Sequence, residues 1–153
     1  MKILVCGLPG SGKSTLSKKL MESIGPSRDV DWINADDIRE QANDWDFSTE
    51  GRKRQMLRMK KLADTAIEKN VIPISDFICP TKELRDEFNA DLVIWMNTIK
   101  QGRYEDTNEI FEDLTEDEYD FCITEFDSIN KWAVTLADLV DILSTSDINE
   151  WVE

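Results

Sequence analysis

The residues with the clearest chemical meaning stand near the N-terminus. Gly7-Leu8-Pro9-Gly10-Ser11-Gly12-Lys13-Ser14 has the spacing G-x-x-x-x-G-K-[ST], and Thr15 follows it. Glycines so placed let backbone N–H groups turn inward around phosphate oxygens, at the positive end of the helix that follows. Lys13 would reach the β- and γ-phosphates of a nucleotide, and the Ser14 hydroxyl would ligate Mg²⁺. The expected cofactors are therefore ATP and Mg²⁺, against the plainer alternative of a glycine-rich turn between a strand and a helix.

A second group is Asn34-Ala35-Asp36-Asp37-Ile38-Arg39. It follows a short apolar run, and ligands of α/β sheets gather at the carboxyl ends of strands. A carboxylate there, Asp36, can orient or deprotonate a substrate hydroxyl, as phosphoryl transfer requires. Arg39, three residues on, shares its side of a helical turn and can hold an anion. The competing reading makes Asp36 or Asp37 the N-cap of a surface helix. Asp76, at the end of another apolar run, is the competitor of Asp36 and could hold Mg²⁺ through water.

These residues need a scaffold that brings strand ends together. The pattern predicts strands over 2–6, 30–33, 71–75, 92–96 and 121–124. It predicts helices over 14–24, 49–69, 80–88 and 129–143, a helical turn over 37–41, and an acidic surface segment over 105–120. Gly25-Pro26-Ser27 should break the first helix. In the long helix, Met56, Met59, Leu62, Ala63, Ala66 and Ile67 form the expected buried face. In the last helix Trp132, Leu136, Leu139, Val140 and Leu143 should point inward. Alternating strands and helices argue for one three-layer α/β domain over 1–153, with a five-stranded parallel sheet.

The chain has 153 residues, 41% hydrophobic and 33% charged, within the range of globular proteins. No apolar run approaches the length of a membrane span, which needs about 18 residues. The first run leads straight into the glycine motif and so reads as a strand rather than a signal peptide. Three scattered cysteines, Cys6, Cys79 and Cys122, make neither a disulfide framework nor a zinc site and fit a reducing cytoplasm. Cys79 and Cys122 read best as buried small hydrophobes. With no histidine, proton transfer falls to a carboxylate or lysine. Residues 1–99 hold 15 Lys+Arg against 16 Asp+Glu, whereas residues 100–153 hold 3 against 16. Such an acidic surface repels phosphate backbones and argues against nucleic acid as a partner. The basic cluster at 52–61 is mostly solvated surface, with one or two cations left for a small anion.

Four segments in order resemble the adenylyl-sulfate kinases: the P-loop, Asn34 to Arg39, Asp46-Phe47-Ser48-Thr49-Glu50-Gly51-Arg52, and Asp76-Phe77-Ile78-Cys79-Pro80. That family carries D-G-D-N-x-R, G-F-S-x-x-D-R-x-x-N and S-F-I-S-P after its P-loop, and the resemblance covers roughly residues 2–112. It implies a nucleotide kinase-like P-loop NTPase fold. It also implies transfer of the γ-phosphate of ATP to the 3′-hydroxyl of adenosine 5′-phosphosulfate, a small nucleotide. By the same resemblance Asp36 is the substrate-binding aspartate and base. Arg39 and Arg52 hold the phosphosulfate, Phe47 stacks on the adenine, and Gln55, Ile78, Cys79 and Arg85 join the substrate side. Lys100 to Phe111 resembles a shortened lid. In it Arg103 faces phosphate, and Phe111 is either a second adenine clamp or a packing anchor. The departures are Asn34 for the first aspartate, Gly51 for the aspartate before the arginine, Gln55 for asparagine and Cys79 for serine.

Polynucleotide 5′-kinases also pair G-x-P-G-S-G-K-S with N-x-D-D-x-R, and the acidic last third speaks against them. A nucleoside or modified-base kinase, and a non-catalytic ATP-binding protein, remain as alternatives. The sequence leaves a homodimer open.

Overall fold

Five short strands, β1 (Ile3–Gly7), β2 (Val30–Asn34), β3 (Ile72–Asp76), β4 (Leu92–Met96) and β5 (Phe121–Ile123), alternate with helices in the computed structural model. It describes the backbone of residues 1–25 and 28–152, with side chains described as far as residue 144. The helices are α1 (Lys13–Ile24), α2 (Ala35–Ala42), α3 (Thr49–Glu68), α4 (Lys82–Phe88), α5 (Glu105–Ile110) and α6 (Ile129–Val152), the last entered through a 3₁₀ turn at Phe126–Ser128. The strands pair in the order β2-β3-β1-β4-β5, every pair parallel.

The alternation of side chains along a strand builds the three layers. Ile3 and Val5 of β1 join Leu16, Leu20 and Ile24 of α1 and Leu136 and Val140 of α6 on one face. Leu4 and Cys6 join Met56, Met59 and Ala63 of α3 and Phe88 of α4 on the other. Both faces of the central strands are buried, which is why they read as unbroken apolar runs. The sheet order puts β1 between β3 and β4, so the carboxyl ends of β1, β2 and β3 open onto one edge of the sandwich.

Local signals stop and start the helices. Ser48 caps α3 by accepting from the Gly51 amide (3.2 Å), and Thr81 caps α4 by accepting from that of Leu84 (3.3 Å). Asn43 and Asn89 end α2 and α4 in left-handed conformation, with φ of 49° and 57°. The predicted break after α1 is met at Gly25, its C-cap; Pro26 and Ser27 lie outside the described residues. Among the described residues no helix is long and apolar enough to cross a membrane.

The structure corrects several expectations. In α3 the buried stripe is Met56, Met59, Ala63 and Ala66, while Leu62 and Ile67 flank it and are 41% and 36% exposed. A long helix on a narrow contact buries a stripe rather than half its circumference. Leu143 likewise points outward, one turn beyond Val140. The acidic segment 105–120 is not all surface: Thr107 and Leu114 are buried. Cys79 is buried as expected, but Cys122 is only half-buried.

Gly51, where the resemblance calls for an aspartate, has a packing reason. A Cβ there would collide with the backbone oxygen of Asp46, because the 43–48 loop lies flat on α3. Gly51→Ala should therefore destabilise the protein. Overpacking costs about 1–3 kcal/mol, which outweighs the roughly 1 kcal/mol that alanine gains in a helix. Urea unfolding should give a lower midpoint; a raised midpoint would show that the loop does not pack on Gly51.

Candidate functional site

At the end of β1 the chain turns through Gly10 (φ +84°) and Gly12 (φ +99°) and enters α1 at Lys13. Gly12 is the N-cap and offers no side chain to the first-turn amides. Those N–H groups are open to an anion at the positive end of the helix. A Cβ on Gly12 would stand 2.9 Å from Ile129 Cδ1 and 3.0 Å from Phe126 Cε1, side-chain ends that could give way, so it is the left-handed backbone that calls for glycine. The Lys13 ammonium donates to the Leu8 carbonyl (2.9 Å) and lies buried over the loop. Burial lowers its pKa, and the nearby Asp76 carboxylate works the other way.

Asp76 closes β3, is buried, and accepts three hydrogen bonds on Oδ2. These come from the Ser14 hydroxyl (2.8 Å), the Asn34 amide (3.1 Å) and the Trp32 indole (3.2 Å). Its pKa is raised by burial, against the opposing pull of Lys13 and the three donors. Asn34 sits beside Asp76 in register and uses both ends of its amide. Its oxygen accepts from the backbone N–H groups of Asp36 and Asp37 and caps α2, while its nitrogen donates to Asp76 and Ser14. Aspartate could cap equally well but could not donate to a second carboxylate. The N-cap is thus Asn34, not Asp36 or Asp37, and both aspartates are exposed in the first turn. A hydroxyl beside a carboxylate, next to a phosphate-binding loop, is a hard-oxygen donor set that suits Mg²⁺. Ser14 and Asp76 are the residues that would hold it.

Across from the loop stands a second wall. A cleft of about 720 Å³ is lined by Gly12, Lys13 and Ser14 on one side and by Asp36, Arg39, Phe47 and Arg52 on the other. Arg39 and Arg52 are both buried. Arg39 Nη1 donates to the carbonyls of Asp44 (3.0 Å) and Asp46 (3.2 Å), and its guanidinium lies 4.2 Å from the centre of the Phe47 ring. Arg52 Nε donates to the Phe47 carbonyl (2.9 Å). The 43–48 loop is also tied to α3 by ion pairs of Asp44 with Arg54 and Arg58 and of Asp46 with Arg54. Hydrogen bonds from Arg54, the Asp46 amide and Arg58 hold the Asp44 carboxyl below the usual aspartate range, and those from Ser48, helped by Arg54, do the same for Asp46. Phe47 is therefore presented by a fixed loop, 43% exposed to the cleft.

Of the residues singled out in the sequence, Pro9, Gly10, Thr15, Ile78, Cys79 and Arg103 also line the cleft, with Arg103 reaching over Gly10. Gly7, Leu8 and Ser11 form the floor of the loop and do not line it. Gln55 borders the cleft, yet its amide donates to the Ala35 carbonyl and accepts from Arg58. Cys79 has φ +45°, and burial raises its thiol pKa well above the ordinary value, so it stands as a neutral thiol. Arg85 and Phe111 are not among the cleft-lining residues. Arg85 is buried against Glu118 (3.2 Å) and donates to the Cys79 and Glu112 carbonyls, with the Phe111 ring 5.9 Å away. Both are committed to packing under α4. The cleft wall adds Trp45 and Phe126, which sequence reasoning did not name, and Tyr104, Asp106 and Thr107, which lie in the 100–111 segment but were not singled out there. Trp45 lies within two residues of Phe47 and was the one signal available, an apolar residue in a polar loop.

Comparison with known proteins agrees with this architecture. A family model described as adenylylsulphate kinase matches residues 1–111. The chain is 36% identical over 85 residues to the adenylyl-sulfate kinase of Bacillus licheniformis, covering 54% of this chain and 43% of that one. It is 32% identical over 88 residues to that of Oceanobacillus iheyensis, covering 56% and 44%. The chain thus spans less than half the length of these curated relatives. Among solved structures, APE1195 superposes with a TM-score of 0.76 at 21% identity, covering 93% of this chain and 95% of that one. The Mycobacterium tuberculosis APS kinase CysC in complex with AMPPNP and APS gives 0.73 at 18% identity, covering 92% and 96%. At such identities the likeness is one of fold.

The raised pKa of Asp76 gives a testable sign. A carboxyl whose folded pKa exceeds its unfolded value binds its proton more tightly in the fold, so its ionisation destabilises the fold as pH rises. Asp76→Asn keeps an acceptor for the three donors and removes the buried charge. In the nucleotide-free protein it should raise Tm at pH 7, with the gain shrinking as pH falls towards the ordinary aspartate value of 3.8. A Tm below that of the unchanged protein at every pH would contradict this electrostatic account.

Proposed function

Because the chain belongs to the adenylylsulphate kinase family, we propose that it is an ATP-dependent phosphotransferase acting on a hydroxyl of a small nucleotide, adenosine 5′-phosphosulfate. The observation that carries this reading is the shared cleft, with a phosphate-binding loop on one wall and, on the other, an exposed carboxylate, two buried arginines and an exposed aromatic ring. ATP would lie with its phosphates over residues 7–14, held by backbone amides and Lys13. Mg²⁺ at Ser14 and Asp76 would neutralise charge on the phosphate oxygens when bound.

The acceptor would sit against the opposite wall. Phe47 has one side backed by Arg39 and offers its ring to a base. Arg39 and Arg52 keep N–H groups beyond those spent on the loop carbonyls, and these suit the acceptor's anionic group. Asp36, projecting from the first turn of α2 and free of side-chain hydrogen bonds among the described residues, would accept the proton of the attacking hydroxyl. Phosphoryl transfer passes through a loose transition state, so most of the rate comes from positioning and charge neutralisation, and the base adds a moderate factor.

Coupled ADP-release assays across adenosine 5′-phosphosulfate, nucleosides and 5′-hydroxyl oligonucleotides test the reading, with turnover expected on the first. Lys13→Ala should abolish turnover without unfolding the protein. Asp36→Asn should lower kcat by about 10²–10⁴ while ATP binding persists. Preference for the oligonucleotide would overturn the acceptor assignment, and a harmless Asp36→Asn beside a crippling Asp37→Asn would move the base by one residue.

A further inference from the structure

The two buried arginines of the acceptor wall differ from every other buried or half-buried arginine side by side with them. Arg85 has Glu118 and Arg58 has Asp44 as ion-pair partners. Among the described residues Arg39 and Arg52 have no carboxylate in ion-pair contact; Asp44 and Asp36 act on Arg39, and Asp106 on Arg52, only from farther off. An unpaired buried guanidinium is costly and calls for an anionic partner. Arg52 is the more enclosed of the two in its hydrogen bonding, because two separate elements grip it. The 43–48 loop takes Nε through the Phe47 carbonyl, and α5 takes Nη2 through the Thr107 hydroxyl at 3.0 Å. Nη1, with its two N–H groups, donates to nothing among the described residues, and the residue lines the cleft.

Thr107 is itself 3% exposed and also lines the cleft. Threonine is a weak helix former, and a buried hydroxyl needs a partner. Its place in α5 is explained by the one bond that it makes to Arg52. The segment that carries it is closed on itself: the Gly102 amide donates to Asn108 Oδ1 (2.7 Å), and the Asn108 amide donates to the Gly102 carbonyl (3.1 Å). The hydroxyl is therefore presented from a braced turn. With Nε anchored by the 43–48 loop and Nη2 by α5, the plane of the guanidinium is set, and a fork so oriented loses less freedom on meeting an anion.

We propose that Thr107 is a positioning residue for the acceptor: through its hydrogen bond to Arg52 it aims the free Nη1 of that arginine at the acceptor's anionic group. This rests on the acceptor reading given above. The test compares the unchanged protein with Thr107→Val, which keeps the shape and removes the hydroxyl, and Thr107→Ser, which keeps the hydroxyl. A hydrogen bond to a charged group is worth enough that KM for adenosine 5′-phosphosulfate should rise roughly ten-fold or more in Thr107→Val. KM for ATP should stay near its original value, Tm should fall because a buried donor loses its acceptor, and Thr107→Ser should restore both the acceptor KM and Tm. The Arg52 Nη2 N–H resonance, assigned by its loss in Arg52→Lys, should be protected from exchange in the unchanged protein and in Thr107→Ser, and lose that protection in Thr107→Val. An unchanged acceptor KM in Thr107→Val, or a Thr107→Ser variant that behaves like the valine one, overturns the proposal. Absence of turnover on adenosine 5′-phosphosulfate by the unchanged protein would refute the acceptor reading instead. The resonance then decides: protection lost only in Thr107→Val upholds the positioning role, and protection kept in both variants overturns it.

Discussion

A single buried carboxylate organises this end of the sheet. Asp76 can stay inside only because Ser14, Trp32 and Asn34 all donate to one of its oxygens and Lys13 lies close by. Those donors belong to the start of α1 and to β2, so satisfying the carboxylate draws the phosphate loop and the end of β2 together. Asn34 extends the arrangement by capping α2, whose first turn carries Asp36. Burial still wins and keeps the pKa of Asp76 raised. Strain of this kind is common where a cation or a reacting phosphate supplies the missing compensation.

The opposite wall depends on a different economy of charge. Arg39 and Arg52 spend part of their donor sets on backbone carbonyls of the 43–48 loop, which needs them because it lacks regular structure. Arg54 and Arg58 meet Asp44, and Arg54 meets Asp46, from the outer side of α3. The basic cluster at the start of α3 thus divides by helical position. The outer arginines neutralise the acidic loop, and the inner one, Arg52, remains in the cleft without a contact ion pair among the described residues. Gly51 makes room for the loop to lie against the helix.

Much of this was legible in the sequence because local rules decided it. The three central strands, buried on both faces, read as apolar runs, and the glycine loop announced both its backbone shape and its place before α1. What escaped depends on contacts distant in sequence. Thr107 lies 55 residues from Arg52, and no pattern in an acidic segment marks one threonine as its partner. Arg85 and Phe111 carried family-like spacing, yet the chain folds them together away from the cleft. The competing reading of Asp36 or Asp37 as the cap of α2 is displaced to Asn34, because Asn and Asp both suit that position. Only the strand register beside Asp76 selects the residue able to donate as well as accept.

The central claim is that the two walls of one cleft bring a nucleotide triphosphate and a nucleotide acceptor together for phosphoryl transfer. The most direct measurement follows ³¹P NMR of the protein with Mg·ATP and adenosine 5′-phosphosulfate. The account predicts that the γ-phosphate signal declines in step with a new phosphomonoester signal on the acceptor's 3′-oxygen. Loss of the γ-phosphate to inorganic phosphate alone, or persistence of both substrates unchanged, would contradict it.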